Sequence, residues 1–162
     1  MKTILATGGL GFIGSHTCIS LLERNFNVYI IDSLVNSSED NLVAIKKIVS
    51  FSKVIDRGKI TFFMGDIRDK NFVKEIFQKG IQEKSPIEAV IHFAGLKSVS
   101  ESIKIPLKYW EANVFGTINL LNIMEEYKCK NIVFSGSATV YKSKINKLIK
   151  ETDELGPINP YG

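Results

Sequence analysis

Three glycines, Gly8, Gly11 and Gly14, fall three residues apart near the start of the chain, and Gly9-x-Gly11-x-x-Gly14 overlaps them. They follow the short apolar run Thr3 to Ala6 and open a stretch with helical patterning. Glycines between a strand and a helix have mechanical uses. The first lets the chain turn sharply, the next lets backbone N–H groups approach a pyrophosphate, and the last lets the helix pack close to the sheet. The unpaired donors and partial positive charge of such a helix start favour phosphate. Val28-Tyr29-Ile30-Ile31-Asp32 then reads as a second buried strand ending in an acid, eighteen residues after Gly14. A carboxylate there accepts from an adenosine ribose and repels a 2′-phosphate, which favours NAD over NADP. The competing reading is a glycine turn in an α/β domain that holds no nucleotide.

The elements that must position these residues follow from periodicity. Ile13 to Arg24 reads as the first helix, with Ile13, Cys18, Leu21 and Leu22 on one face and His16 as a packing or surface residue. Ser37-x-x-Asp40 resembles a capping box opening a helix over Glu39 to Val49, and Ser50 to Gly58 reads as a loop. Ile60 to Met64 is a third strand. Asp69 is an N-cap for a helix carrying Phe72, Val73, Ile76, Phe77 and Ile81, which Ser85-Pro86 ends. Ala89 to Ala94 is a continuous apolar run of the kind buried on both faces of a parallel sheet. A long helix is expected from Pro106 to about Tyr127, with Trp110, Val114, Ile118, Leu121 and Met124 near one stripe. Ile132 to Phe134 is a fifth strand, followed by Ser135-Gly136-Ser137 and a stretch without periodicity. Strands alternating with helices imply parallel pairing. The fold class expected is α/β, a doubly wound parallel sheet of order 3-2-1-4-5, with ligand over the carboxyl ends at the switch between strands 1 and 4.

Composition narrows the class. The 162 residues make one domain's worth, and 44% apolar with 23% charged is ordinary for a soluble globular chain. The net charge of +4 is dispersed. Its densest run, Lys142 to Lys150, lacks interleaved aromatics and reads as a solvated loop, so no nucleic-acid partner is expected. No apolar run reaches membrane-spanning length, and the first strand begins too close to Met1 for a signal peptide. Cys18 and Cys129 stand apart from each other and from any Cys/His cluster, which suggests a reducing compartment and no metal. A cytoplasmic address is expected.

More specific motifs lie beyond the glycine turn. Thr7-Gly8-Gly9-x-Gly11-Phe12-Ile13-Gly14-Ser15-His16-Thr17-Cys18 resembles the opening of the extended short-chain dehydrogenase/reductase family. His92-Phe93-Ala94-Gly95-Leu96-Lys97-Ser98-Val99-Ser100-Glu101-Ser102 narrows the resemblance to its UDP-glucose 4-epimerase branch. Asn113-Val114-Phe115-Gly116-Thr117 and Ser135-Gly136-Ser137-Ala138-Thr139-Val140-Tyr141 are similar to that branch too, and the match runs in register to Pro160-Tyr161-Gly162. The resemblance implies a Rossmann-like fold and an isomerase of galactose metabolism that interconverts UDP-galactose and UDP-glucose. Tightly held NAD takes and returns a hydride at C4 of the UDP-hexose, with no net redox.

Carried over by position, the resemblance makes Tyr161 the base and Ser137 the partner of the C4 oxygen. A hydroxyl at a strand's carboxyl end can donate to a developing alkoxide. Gly8, Gly11, Phe12, Ile13, Gly14, Asp32, Ser33, Leu34, Val35, Asn36, Ser37, Asp66, Ile67, Phe93, Ala94, Gly95, Leu96, Lys97 and Asn113 would hold NAD. Asp66-Ile67 would serve the adenine end, and Lys97, with Ser137 and Tyr161, would also face substrate. Taken alone, Asp66 reads as a helix-entry residue, Asn113 as a polar helix position, Ser137 as a loop serine and Tyr161 as a terminal tyrosine.

The match also has gaps. The family pairs its tyrosine with a lysine one helical turn later, whose charge lowers the phenol's pKa from about 10. The 162 residues contain no position for that lysine, nor the region that would hold UDP-sugar. The expectation is therefore one NAD-binding domain over 1–162 that is inactive alone, the N-terminal part of an enzyme for which a homodimer is the expected full-length assembly. Ser33, Phe12, Gly136 and Lys142 are smaller departures from the family pattern. Two other readings stay open: a sister nucleotide-sugar dehydratase or reductase, against which Ala138-Thr139-Val140 lacks an acid beside the threonine, and a stand-alone NAD-binding or sensory module.

Overall fold

A computed structural model describes residues 1–52, 58–142 and 148–162. The elements in chain order are β1 (Thr3–Thr7), α1 (Phe12–Glu23), β2 (Asn27–Asp32), α2 (Asp40–Phe51), β3 (Ile60–Met64), α3 (Lys70–Gln82) and β4 (Ile87–His92). Then come α4 (Val99–Lys104), α5 (Pro106–Tyr109), a π-helical segment (Trp110–Phe115), α6 (Gly116–Glu126), β5 (Asn131–Phe134) and a 3₁₀ turn (Ala138–Val140). The five strands form one sheet of order β3-β2-β1-β4-β5, every pair parallel. This is the Rossmann-like doubly wound arrangement that the strand–helix alternation implies.

Side chains alternate across the central strands and build two cores. Leu5 of β1 with Tyr29 and Ile31 of β2 face one side, where Val73, Ile76 and Phe77 of α3 meet Leu120, Ile123 and Met124 of α6. Ala6, Val28 and Ile30 face the other, against Cys18 and Leu22 of α1 and Ile45 and Val49 of α2. Successive strand side chains point to opposite faces, so a strand covered on both reads as an unbroken apolar run. Every residue of β1 is buried; every residue of β5 is exposed.

Several boundaries differ from the sequence reading. β4 runs from Ile87 to His92, so Phe93 and Ala94 already belong to the loop beyond it. α2 continues to Phe51, and no capping box opens it: Ser37 turns its hydroxyl to Asp32, while Ser38 accepts from the Asp40 N–H. The rest of the Ser50–Gly58 loop includes residues 53–57, and the Lys142–Lys150 run includes 143–147, both outside the described residues. The short helix α4 was not anticipated; Ser98 caps it by accepting from Glu101 N–H. The long helix is interrupted by π geometry, and its face is rotated accordingly. Tyr109, Leu120, Ile123 and Met124 are buried, whereas Trp110, Val114, Ile118 and Leu121 of the expected stripe are exposed. A π turn inserts a residue into the helical repeat, so one straight 3.6-residue pattern cannot follow both halves.

Candidate functional site

The glycine turn is built by close backbone approach. Gly8 takes φ 66°, the left-handed region where an L side chain is strained. A Cβ on Gly8 would lie 2.7 Å from the Ala94 nitrogen, and one on Gly14 2.4 Å from the Gly8 carbonyl oxygen. The Gly8 N–H donates to the Ile31 carbonyl at 2.7 Å. The turn is thereby held against β2 and against the loop after β4. Gly11 at the start of α1 supplies no side-chain cap, and among the described residues no side chain accepts from its first-turn N–H groups. Beside them Phe12 and Ile13 stand 77% and 61% exposed, an apolar lip on a polar cradle.

Asp32 closes the second side. It is buried, and its Oδ2 accepts from the Leu10 N–H at 2.9 Å. Its Oδ1 accepts from the Leu34 N–H at 3.0 Å and the Ser37 hydroxyl at 2.7 Å. A carboxylate offers about four acceptor positions, so Oδ2 retains one. Ser33, Val35 and Asn36 are exposed around it, and Leu34 takes φ 58°. Nearby, burial pushes the Cys18 thiol up to about 12, with the Asp32 charge adding to the shift. That sulfur is an inert packing group.

At the end of β3, Asp66 is bound by Arg68. Arg68 Nε donates to Oδ1 at 3.1 Å and Nη2 to Oδ2 at 2.8 Å, with the Arg68 N–H also on Oδ1. The hydrogen bonds from Arg68 hold the Asp66 carboxyl below the usual carboxylate range. Ile67 is buried, and its carbonyl accepts from Asn119 Nδ2 at 2.6 Å. After β4, Asn113 of the π segment clamps the Leu96 backbone. Its Oδ1 accepts from the Leu96 N–H and its Nδ2 donates to the Leu96 carbonyl, both at 2.8 Å. A Cβ on Gly95 would lie 3.2 Å from that same Oδ1. Lys97 is exposed and makes no ion pair among the described residues.

The fourth side forms from the end of the chain. Ser137 Oγ accepts from the Thr139 N–H at 3.2 Å and lies 2.9 Å from Thr139 Oγ1, capping its own turn. The chain then folds back: Tyr141 bridges Leu155, and Gly156 N–H donates to the Val140 carbonyl. A Cβ on Gly162 would meet the Thr139 carbonyl at 2.6 Å. Tyr161 sets its ring edge-on to Tyr109, centroids 6.4 Å apart. Tyr109 in turn accepts from the Ser98 N–H at 3.1 Å and donates to Glu101 at 2.7 Å. Burial and the Glu101 carboxylate raise its phenol above the ordinary value. Among the described residues no hydrogen bond joins Ser137 to Tyr161.

The sequence-predicted cofactor residues thus follow the carboxyl ends of β1, β2, β3 and β4, with Asn113 bonded into the last group, while Ser137 follows β5 and Tyr161 lies at the end of the chain. Sequence reasoning missed Leu10, Arg68, Tyr109 and the pair Thr7 and His92. A lone histidine at the end of an apolar strand run was the available signal for the last. A glycine cradle that a Cβ would fill, an uncapped helix start and an acceptor carboxylate fit a dinucleotide. Among the described residues no His/Cys/Asp/Glu group could hold a metal, and no helix is long and apolar enough to cross a membrane.

Comparison with known proteins agrees with this geometry. The family described as GDP-mannose 4,6 dehydratase matches residues 5–162. UDP-glucose 4-epimerase of Bacillus subtilis is 46% identical over 160 residues, covering 98% of this chain and 43% of its own. Bifunctional protein GAL10 of Pachysolen tannophilus is 46% identical over 166 residues, covering 100% of this chain and 22% of its own. A crystal structure of UDP-glucose-4-epimerase from Stenotrophomonas maltophila, with bound NAD and formylated UDP-arabinopyranose, superposes with a TM-score of 0.87. It is 38% identical and covers 99% of this chain and 44% of that one. The chain therefore spans less than half the length of these relatives. It belongs to the GDP-mannose 4,6 dehydratase family of extended short-chain dehydrogenases/reductases, and within that family it is similar to UDP-glucose 4-epimerases from end to end.

Proposed function

We propose that this chain is the cofactor-holding part of an NAD-dependent UDP-glucose 4-epimerase, interconverting UDP-galactose and UDP-glucose. The observation that carries the reading is the pairing of an uncapped, glycine-cradled helix start with Asp32, inside a sequence 46% identical to such an epimerase over nearly all its length. When bound, NAD supplies a hydride acceptor and donor for sugar C4. The residues do the rest. The first turn of α1 receives the pyrophosphate, and the free position on Asp32 Oδ2 accepts from a ribose hydroxyl. Phe12 and Ile13 give apolar cover, and Ser33 to Ser37 border the same ribose. Asp66-Ile67 faces the adenine, while Phe93 to Lys97 and Asn113 border the nicotinamide half.

At the substrate end, Ser137 donates to the C4 oxygen and Tyr161 takes its proton. The fold-back of residues 154–162 onto 139–142 supports this, because it brings the Tyr161 end of the chain against the turn that Ser137 caps. These 162 residues alone hold NAD in one domain and do not epimerise, since the charge that would lower the tyrosine's pKa is not among them. We propose a homodimer for the full-length protein, with exposed Trp110, Ile118 and Leu121 at its seam, and a cytoplasmic address; sedimentation of that protein tests the first.

The test is two measurements on the polypeptide. Calorimetric titration with NAD should show binding, and incubation with UDP-galactose and NAD should yield no UDP-glucose. A folded chain that ignores NAD would refute the cofactor reading. UDP-glucose formation would refute the claim of inactivity.

A further inference from the structure

His92 is buried at the carboxyl end of β4, between the glycine turn and the π segment. Its Nδ1 lies 2.5 Å from Thr7 Oγ1 and its Nε2 2.9 Å from Thr117 Oγ1. Both hydroxyls have a second partner. Thr117 donates to the Asn113 carbonyl at 2.5 Å, and Thr7 accepts from the Ala94 N–H at 3.3 Å. A hydroxyl carries one proton, and a carbonyl can only accept. With its proton committed to Asn113, Thr117 can only accept from the ring, so Nε2 carries the hydrogen. Nδ1 then accepts, and Thr7 gives it its proton. The direction of every bond is fixed: Ala94 N–H to Thr7, Thr7 to Nδ1, Nε2–H to Thr117, Thr117 to Asn113. The opposite tautomer would set two lone pairs against each other at Nε2. Burial supports a neutral ring, pushing the imidazole down to about 4, and the Phe134 ring covers it at 5.5 Å.

The two ends of this chain of bonds are both in the candidate cofactor site. Ala94 belongs to the loop against which Gly8 packs, and Asn113 clamps Leu96 in that loop. We propose that His92 is a positioning residue whose neutral Nε2–H form locks the Phe93–Lys97 loop to the glycine turn on one side and to the π turn on the other. The lock rests on the reading of that loop as part of the NAD site, but its geometry does not need the nucleotide.

The experiment therefore has two arms. In the nucleotide-free chain, ¹⁵N-labelled imidazole spectra should show His92 with Nδ1 unprotonated and Nε2 protonated; His16 is the one other histidine to assign. Thr117→Val should abolish that fixed tautomer and speed exchange of the Leu96 amide at least tenfold, while Thr117→Ser, which keeps the hydroxyl, should restore both. The second arm reads NAD affinity: His92→Phe or Thr117→Val should weaken it about tenfold, and Thr117→Ser should not. A protonated Nδ1, a tautomer mixture, or wild-type Leu96 exchange and NAD affinity in a folded Thr117→Val protein would overturn the proposal. If the unsubstituted chain binds no NAD, the cofactor reading fails while the tautomer and exchange data still decide the lock.

Discussion

The centre of the sheet's carboxyl edge and its β5 end are built in different ways. Around β1 and β2 every strand residue but Asn27 is buried, and the loops are fixed by contacts between elements distant in sequence. Gly8 bonds Ile31 and touches Ala94; Asp32 bonds Leu10, Leu34 and Ser37. Around β5 every strand residue is exposed, Val133 and Phe134 to 62% and 60%. There, among the described residues, Ser137 bonds only within its own turn, and a Cβ on Gly136 would meet nothing closer than Phe134 Cδ1 at 4.0 Å. The cofactor side therefore has its geometry imposed by packing. Around Ser137 the turn is set by its own hydrogen bonds, with the fold-back of residues 154–162 laid against it.

The largest effect should come from exchanging glycines across that divide. Gly14→Val places a branched side chain against the Gly8 carbonyl, backbone that cannot give way without moving α1. It should cost about 3–5 kcal/mol and abolish NAD binding, checked by thermal melts and calorimetry. Gly136→Ser, in open space, should stay within about 0.5 kcal/mol of the parent. Similar losses at both positions would mean that the β5 side is as tightly built as the β1 side.

His92 sits where the two regions meet, and its titration should show it. The folded state keeps the ring neutral down to about pH 4, whereas an unfolded histidine takes its proton near 6.5. The unfolded state thus binds more protons between those values, so stability is full above about pH 6.5 and falls as pH drops toward 4. The loss should approach about 3 kcal/mol, read as the slope in urea melts that disappears in His92→Phe.

Asp32→Asn should have a smaller effect, confined to the cofactor side. Oδ1 and Oδ2 both accept from donors, so an amide must turn its NH₂ toward one of them. A misdirected donor there should cost about 1–3 kcal/mol and weaken NAD binding, while leaving the Tyr141–Leu155 bridge intact by NMR.

What the sequence revealed follows the same divide. The strand order, the glycine turn and Asp32 at the end of β2 were legible because a buried parallel strand and a tight strand-to-helix turn permit few residue types. The helix after Pro106 was legible in its span but not in its buried face, because a π turn has no periodic signature and shifts that face from Trp110 and Ile118 to Tyr109 and Leu120. Ser37 misled because a serine before a helix can serve a cap or a distant carboxylate equally well, and only the fold brings Asp32 to it. α4, by contrast, carried a readable signal in Ser98-x-x-Glu101. The His92 relay joins residues up to 110 positions apart, from Thr7 to Thr117, and no local pattern encodes it.

The smallest effect expected tests whether Asp66 belongs to the imposed geometry or to local chemistry. Its carboxylate is held by Arg68 two residues away, and Arg68 also reaches Glu111 at 3.5 Å. Both partners are partly exposed, where such pairs contribute little, so Arg68→Gln should change stability by less than about 1 kcal/mol. The Asp66 carboxyl should rise toward its ordinary range as the guanidinium bonds are lost, measurable by ¹³C titration. If Asp66 accepts from the adenine amino group, losing Arg68 leaves its charge free to turn and should weaken NAD binding about two- to fivefold, or about 0.4–1 kcal/mol. Unchanged affinity would instead make Asp66 a helix-entry residue fixed by its neighbour, and would leave the adenine end to the backbone around Ile67.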